Sequence, residues 1–335
     1  MSEQLSLFTL RLHKPLSILL LLACLNVDGV AVAETPETAE EEEPLPPHWI
    51  DGFKGGVENT VDNTARWFDR FFGDNRRFEE GYDSQGRLTI EPQWSAYDGW
   101  EVKSSFRAEF RLPQAEERFS AIIGRGTFDD VVSDEPTQFR SSVIDSAEDE
   151  EWILGLGFNP KQGEANRFYF SAGIRGGLKA DPYAQVRYLW QRRVNDFSQL
   201  RLRSSLFWRD SDGFGVNQRI DWEASMRTNW LARLTLDGTH AERTDGIRWT
   251  TIAAIFHLYE EEKAIAAELF TRGQSGQQIP LRDAGFRFIH RQEWFREWLY
   301  LEFWGGLHWP RETLEETRQQ RWMFGIEVAM WYGDS

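Results

Sequence analysis

Residues 100–112, with the sequence WEVKSSFRAEFRL, decide the fold of this chain. Every second residue belongs to a mostly apolar row, and the residues between them are almost all charged. The apolar row consists of Trp100, Val102, Ser104, Phe106, Ala108, Phe110 and Leu112. The polar row consists of Glu101, Lys103, Ser105, Arg107, Glu109 and Arg111. A period of two is typical of a β-strand that has one apolar and one polar face.

The same alternation recurs along most of the chain, and turn-forming residues separate the segments. Alternating segments lie near residues 167–175, 184–191, 200–209, 216–223, 226–237, 265–272, 286–291, 299–303 and 322–332. Turn signals lie at residues 97–99, 159–160, 180–182, 210–213, 273–280 and 310. We predict about fourteen strands, or about twelve, because residues 247–259 are apolar on both faces. An even number would return both ends of the chain to the same side.

The N-terminus has the features of an export signal. A positively charged start is followed by a short apolar stretch, and Ala31-Val32-Ala33 forms a small-residue cleavage site. We predict a signal peptide over residues 1–33. The alternative is a lipoprotein signal that ends at Cys24, the single cysteine of the chain. We favour cleavage after Ala33 because Leu22 is bulky for the lipoprotein pattern.

Two further segments precede the strands. Residues 34–50 are acidic and rich in proline, which predicts a disordered spacer. Within residues 51–80, helical spacing puts an apolar stripe on one side, which predicts a short amphipathic helix. The stripe consists of Val57, Val61, Ala65, Phe68, Phe71 and Phe72. The helix has four open roles: lying at the inner leaflet, plugging a barrel, docking a periplasmic partner, or packing at the barrel mouth.

Composition narrows the class of protein. The 335 residues include 16 Trp and 24 Phe, yet the mean hydropathy is -0.55. Beyond the N-terminus no apolar run approaches the roughly 20 residues that a membrane helix needs. A membrane barrel reconciles these facts, because its polar lumen lowers the average while aromatic residues line the lipid interfaces. The net charge of -16 argues against a nucleic-acid partner.

Over residues 87–332 the chain therefore resembles bacterial outer-membrane β-barrel proteins as a class. The resemblance implies an all-β, transmembrane antiparallel barrel in the outer membrane of a Gram-negative bacterium. It also implies contact with outer-membrane lipid, insertion by the outer-membrane assembly machinery and an N-terminal segment in the periplasm. No cofactor is implied. The transported solute and the oligomeric state stay open.

The polar rows supply the candidate functional residues, because they would face the lumen. The arginines are Arg107, Arg111, Arg167, Arg175, Arg187, Arg201, Arg203, Arg219, Arg227, Arg233, Arg287 and Arg291, and the acids include Glu101, Glu109 and Glu223. Arginine outnumbers acid on these strands although the whole chain is acidic. The functional interpretation is a pore wall that attracts anions. The structural interpretation is a set of cross-strand ion pairs that rigidify the barrel.

The long connection between residues 125 and 152 is unusually acidic. It contains Asp129, Asp130, Asp134, Glu135 and Asp145. One hypothesis is that it folds inward and narrows the pore opposite the arginines. The alternatives are a solvated surface loop and a divalent-cation site, and the irregular spacing gives the cation site no specific support.

We expect no enzymatic activity. His240 and His308 are the histidines best placed for a site at the rim of a barrel. However, no local motif of a serine hydrolase or of a metalloprotease accompanies them. The sequence thus favours a porin-like passive channel for small polar or anionic solutes. A non-conducting structural or assembly barrel that engages a periplasmic partner through residues 51–80 is the alternative, and an outer-membrane hydrolase is a third possibility.

Overall fold

The computed structural model describes most of the chain from residue 84 onward. The described residues are 84–112, 119–127, 131, 150–160, 166–177, 180–195, 197–227, 229–260 and 263–332. The predicted signal peptide, acidic spacer and amphipathic helix lie outside the described residues.

Fourteen β-strands make up the described structure. They are β1 (Ser84–Ser95), β2 (Gly99–Arg111), β3 (Phe119–Gly126), β4 (Glu151–Phe158), β5 (Asn166–Arg175), β6 (Asp181–Asn195), β7 (Ser198–Arg209), β8 (Gly213–Arg227), β9 (Trp230–Ala241), β10 (Arg248–Glu260), β11 (Lys263–Gln274), β12 (Leu281–Trp294), β13 (Arg296–His308) and β14 (Arg321–Tyr332).

The strands form one closed antiparallel barrel. Each strand pairs with its neighbours in the chain, and β1 pairs with β14 to close the ring. The prediction of an all-β transmembrane barrel is therefore confirmed, and fourteen is the right strand number. Closure leaves no exposed sheet edge among the fourteen described strands. We call the end where β1 begins and β14 ends the terminal rim, and the opposite end the loop rim.

The two faces of the wall differ in chemistry as the period of two predicts. Along β7, Leu206 is 62 % exposed on the outside, whereas Arg203 is 3 % exposed on the inside. The same contrast holds on β8, where Trp222 is exposed and Asp221 is buried. Apolar side chains that point outward around a closed ring are what a hydrocarbon environment requires. The barrel thus presents its apolar face to lipid and encloses its ionic side chains.

Short turns connect many strands at the loop rim. The turn between β1 and β2 lies at the predicted position and ends on Gly99, whose φ is +83°. The turn between β7 and β8 ends in the same way on Gly213, with φ +75°. A positive φ carries little strain for glycine, which lacks a Cβ atom. The turn signals in the sequence therefore mark real chain reversals.

Within the described residues, no helix has the length and apolar character that a membrane-spanning helix requires. The segment with two apolar faces, residues 247–259, forms the ordinary strand β10. Its outer face contacts lipid, and its inner face carries Ile252, Ala254 and Phe256, which are buried inside the barrel. Because both faces of β10 are apolar, the sequence pattern alone does not show which residues point inward.

Candidate functional site

The lumen wall is the candidate site, and most of the predicted lumen residues lie on its inner face. Those whose side chains the structure describes are Arg107, Arg167, Arg175, Arg187, Arg201, Arg203, Arg219, Arg233, Arg287, Arg291, Glu101, Glu109 and Glu223. The side chains of Arg111 and Arg227 are outside the described part. So are Asp129, Asp130, Asp134, Glu135 and Asp145 of the long connection.

A band of guanidinium groups crosses β6, β7 and β8. Arg203 on β7 lies directly opposite Arg219 on β8, and Arg187 on β6 lies opposite Ser205. The Arg187 Nε atom is 3.5 Å from the Ser205 Oγ atom. All three arginines are at most 7 % exposed. We call Arg187, Arg203 and Arg219 the arginine wall.

Carboxylates flank the arginine wall on the side of the terminal rim. Arg219 contacts Asp221 at 3.0 Å, and the Thr235 hydroxyl donates a hydrogen bond to the same carboxylate at 2.6 Å. Two residues further along β8, Glu223 contacts Arg233 of β9 at 2.7 Å. These contacts hold the acids in place along β8. Cross-strand ion pairing, the structural interpretation of the sequence, therefore operates in this part of the wall.

A second group of ion pairs lies near the loop rim. Arg175 contacts Asp181 at 2.7 Å, and Arg209 contacts Asp212 at 3.1 Å. The two guanidinium groups share a neighbour, because Arg175 also lies 3.6 Å from Asp212. The arginine wall thus has acidic neighbours towards the loop rim and also at its own depth, where Asp237 lies opposite Arg219 and Asp221 contacts it.

The opposite part of the wall has a different chemistry. On β10–β14 a cluster of buried, mostly apolar side chains fills the inner face. We call it the inner apolar cluster, and it consists of Ile252, Ala254, Phe256, Ala266, Phe270, Ile289, Trp304 and Met323. Burial of these side chains stabilises the barrel from within by the hydrophobic effect. Sequence reasoning assigned no such cluster to the lumen.

Small residues on neighbouring strands make room for the rings of this cluster. Gly325 on β14 lies opposite Trp304, and a Cβ atom at this position would lie 2.6 Å from the indole ring. Gly285 on β12 has the same relation to Phe270, also at 2.6 Å. The glycines therefore serve close packing of aromatic rings across the strands.

A buried ion pair adjoins the inner apolar cluster. Arg287 contacts Glu268 at 2.6 Å, and both side chains are 2 % exposed. The Arg287 guanidinium also lies over the Trp304 ring, 5.4 Å from its centroid. The Trp304 indole N–H donates a hydrogen bond to Glu91 at 2.8 Å. On this side of the lumen the polar groups of Arg287, Glu268 and Trp304 therefore all have partners.

One described residue of the long acidic connection, Val131, lies inside the barrel. Val131 is fully buried and packs against Ile122, Ile153, Tyr169 and Tyr183. Its carbonyl oxygen accepts a hydrogen bond from the Arg107 Nε–H at 2.8 Å. The inward position of this one described residue agrees with the hypothesis that the connection folds inward. The positions of the carboxylates in the connection stay a prediction.

The two histidines that the sequence singled out lie on opposite faces. His240 points outward, is exposed, and its Nδ1 atom lies 2.9 Å from the Gly246 carbonyl oxygen. His308 points inward, is 3 % exposed, and lies between Ser95 and Asp283. Sequence reasoning missed these neighbours because Ser95 is 213 positions from His308. Among the described residues, no group of three or more His, Cys, Asp or Glu could hold a metal ion.

No protein-family model and no curated protein matches this chain. Several solved structures of outer-membrane proteins are similar in fold. OmpT, an outer membrane protein of Vibrio cholerae, is 8 % identical over 77 % of this chain and all of its own length, with a TM-score of 0.45. A KdgM porin in complex with disordered oligogalacturonate is 9 % identical over 72 % of this chain and 97 % of its own, with a TM-score of 0.36.

The NanC porin is 6 % identical over 72 % of this chain and 98 % of its own length, with a TM-score of 0.39. At these levels of identity the likeness concerns the barrel fold alone. The function has to be argued from the lumen of this chain itself.

Proposed function

We propose that this chain is a porin-like channel of the outer membrane that passes small polar or anionic solutes passively. The arginine wall is the observation that carries the proposal. Like charges placed directly opposite on neighbouring strands repel one another and lower stability. Three arginines come together at middle depth, and two of them lie directly opposite each other, so this arrangement favours a role in attracting anions.

The surroundings of the arginine wall strengthen its field. Arg187, Arg203 and Arg219 are almost completely buried, and a low-dielectric wall focuses the field of such charges into the lumen. A fourteen-strand barrel is wider than the eight-strand barrels that side chains fill, and narrower than general porins with about 16–18 strands. Selection by charge is therefore effective at short range in this lumen.

Conduction through planar bilayers tests the proposal. Purified, folded protein is reconstituted, and the reversal potential is measured under a potassium chloride gradient. We expect a potential with the sign of chloride preference. The variant with Arg187, Arg203 and Arg219 all changed to Gln should lose most of this preference. Arg192→Gln, which removes an exposed positive charge from the outer face of β6, is the matched control and should leave the preference unchanged.

Cation preference of the native protein, or equal preference in the triple variant, would contradict the role of the arginine wall. Absence of current from folded protein would favour the second candidate function, a non-conducting structural or assembly barrel. The packed inner apolar cluster and the Arg287–Glu268 pair support that candidate, because they stabilise a filled interior. A pull-down with residues 34–74 as bait then tests the proposed periplasmic partner.

A further inference from the structure

The loop rim of the lumen holds a serine, a histidine and an aspartate in a continuous hydrogen-bonded chain. The Ser95 Oγ atom lies 3.0 Å from the His308 Nε2 atom. On the other side of the imidazole ring, the His308 Nδ1 atom lies 3.1 Å from the Asp283 Oδ2 atom. Three strands contribute: β1 ends at Ser95, β13 ends at His308, and β12 supplies Asp283 near its start. Because they are far apart in sequence, no local motif reveals them.

Both distances lie within the range of nucleophile–base and base–orienter hydrogen bonds. His308 and Asp283 are each 3 % exposed, so the imidazole is held in one orientation. Asp283 accepts a hydrogen bond and therefore fixes the tautomer that carries its proton on Nδ1. In this tautomer the Nε2 lone pair faces the Ser95 hydroxyl and can accept its proton.

We propose that Ser95, His308 and Asp283 form a hydrolytic site that cleaves short-chain carboxylic esters at the loop rim of the lumen. The assignment goes beyond the channel proposed above and does not depend on conduction. Ser95 is the nucleophile, His308 is the general base and acid, and Asp283 is a positioning residue. The roles follow from the geometry of the three side chains and not from any sequence motif.

The hydroxyl of Ser95 is held in place by the turn that follows β1. It donates its proton towards His308, and one of its two lone pairs accepts the Tyr97 backbone N–H at 3.0 Å. The second lone pair accepts the Asp98 backbone N–H at 3.5 Å, the longer of the two contacts. This long contact is the one that attack on a substrate carbonyl would replace.

The adjoining cavity sets the size of the acyl group. It has a volume of about 80 Å³ and is lined by Ser95, His308, Lys103, Phe270, Trp304 and Met323, among others. A cavity of this size accommodates a short acyl group more readily than a long alkyl chain. Its aromatic and methionine walls suit a methyl group, and Lys103 lines the same cavity.

The reaction needs only the ester and water. Ser95 Oγ attacks the carbonyl carbon while its proton passes to His308 Nε2, and the carbonyl oxygen becomes an oxyanion. The tetrahedral intermediate collapses, the bond to the alcohol oxygen breaks, and His308 returns the proton to the leaving alcohol. Water, activated by His308 in the same way, then attacks the acyl-serine. The products are the free carboxylic acid, the alcohol and regenerated Ser95.

The test uses the folded full-length barrel in detergent, with the heat-dependent gel shift of folded barrels as the check on each variant. We measure hydrolysis of p-nitrophenyl acetate and p-nitrophenyl octanoate, and labelling by a fluorophosphonate probe located by mass spectrometry. Acetate should be cleaved faster than octanoate, and the probe should modify Ser95. Ser95→Ala and His308→Ala should each lose about 100-fold or more of the rate, the size of a typical general-base effect.

Ser105→Ala is the matched control, since Ser105 also lies on the inner face but its hydroxyl bonds to Thr89. It should hydrolyse acetate at the native rate. Asp283→Asn should lower kcat and leave KM unchanged, which loss of a merely structural contact would not do selectively. Native-rate hydrolysis by folded Ser95→Ala, or failure of the probe to modify Ser95 in the native protein, would overturn the assignment.

Discussion

Two regions of one lumen wall, the arginine wall and the inner apolar cluster, solve the same geometric problem in opposite ways. Both lie on inward-facing positions of antiparallel strands that alternate with period two. On β6–β8 these positions hold arginines that face one another. On β10–β14 they hold aromatic and aliphatic side chains that pack together. The outer face must be apolar where it meets the hydrocarbon of the membrane, whereas the inner face is free to differ from one sector to the next.

The comparison separates stability from recognition. Packing of rings over glycines and the enclosed Arg287–Glu268 pair make the apolar side a stabilising core. The arginine wall places Arg203 directly opposite Arg219, and like charges in such a cross-strand position are unfavourable by themselves. We therefore expect changes on the apolar side to affect mainly the free energy of unfolding. Changes in the arginine wall should affect mainly ion selectivity.

The largest expected effect comes from breaking the buried ion pair. Glu268→Gln leaves the Arg287 guanidinium buried without the carboxylate it contacts and should lower the free energy of unfolding by about 3–5 kcal/mol. Urea unfolding in lipid vesicles, followed by tryptophan fluorescence, measures this loss. The double variant Glu268→Leu with Arg287→Met should recover most of it, because both charges of the pair are then removed together. A single variant as stable as the native protein would show that the pair is not isolated from water.

The next effect comes from overfilling the inner apolar cluster. Gly325→Ala places a methyl group against the Trp304 ring and should cost about 1–3 kcal/mol of unfolding free energy. Gly305→Ala is the control, since its Cβ would have its nearest neighbours at 3.8 Å, an ordinary contact. The same unfolding assay compares them. Equal stability of the two variants would mean that Trp304 can move aside and that the cluster is loosely packed.

A smaller effect on stability is expected in the arginine wall. Arg203→Gln removes one of two charges that face each other on β7 and β8, so the free energy of unfolding should change by less than about 1 kcal/mol. The reversal potential of the same variant in a salt gradient should move towards zero. A loss of stability as large as that of Glu268→Gln would mean that both sides of the wall are structural.

The smallest effect concerns the loop rim next to the inner apolar cluster. Glu316 accepts a hydrogen bond from the Glu312 amide at 2.8 Å and from the Tyr97 hydroxyl at 3.0 Å. These hydrogen bonds, the Glu312 amide foremost, lower the pKa of Glu316 from its ordinary value of 4.5. Burial, assisted by Glu316, raises the pKa of Tyr97 to about 12. The hydrogen bond between Tyr97 and Glu316 is therefore fully formed between pH 4.5 and about pH 12.

A lowered carboxylate pKa contributes stability above the ordinary value, and this stability is lost as pH falls through the folded-state value. Hydrogen exchange in residues 309–320, corrected for the intrinsic rate, should accelerate modestly when pH falls well below 4.5. Glu316→Gln should show weaker pH dependence, and Glu315→Gln, in the same loop, should behave as the native protein. Identical pH dependence in all three would show that Glu316 does not hold the loop.

Local patterns were sufficient for the outer face and insufficient for the lumen. The alternation in residues 100–112 correctly predicts a strand, and the Asp98-Gly99 signal correctly predicts the chain reversal that precedes it. In residues 247–259 the sequence does not show which side chains point inward, because alternation is visible only where the lumen face is polar and the lipid face is apolar. Only the positions of Trp304 and Phe270 on later strands show why Ile252 and Phe256 point inward.

The sequence by itself determined the strand period, the turns and the apolar outer face, since each depends on neighbours two to four residues apart. Tertiary structure alone decided which inward side chains meet. Closure of the ring brings β1 beside β14, and this places Ser95 within hydrogen-bond distance of His308 although 213 positions separate them. Register across the strands likewise sets Arg203 opposite Arg219 and Gly325 opposite Trp304. Such contacts depend on how fourteen strands align, which no local stretch encodes.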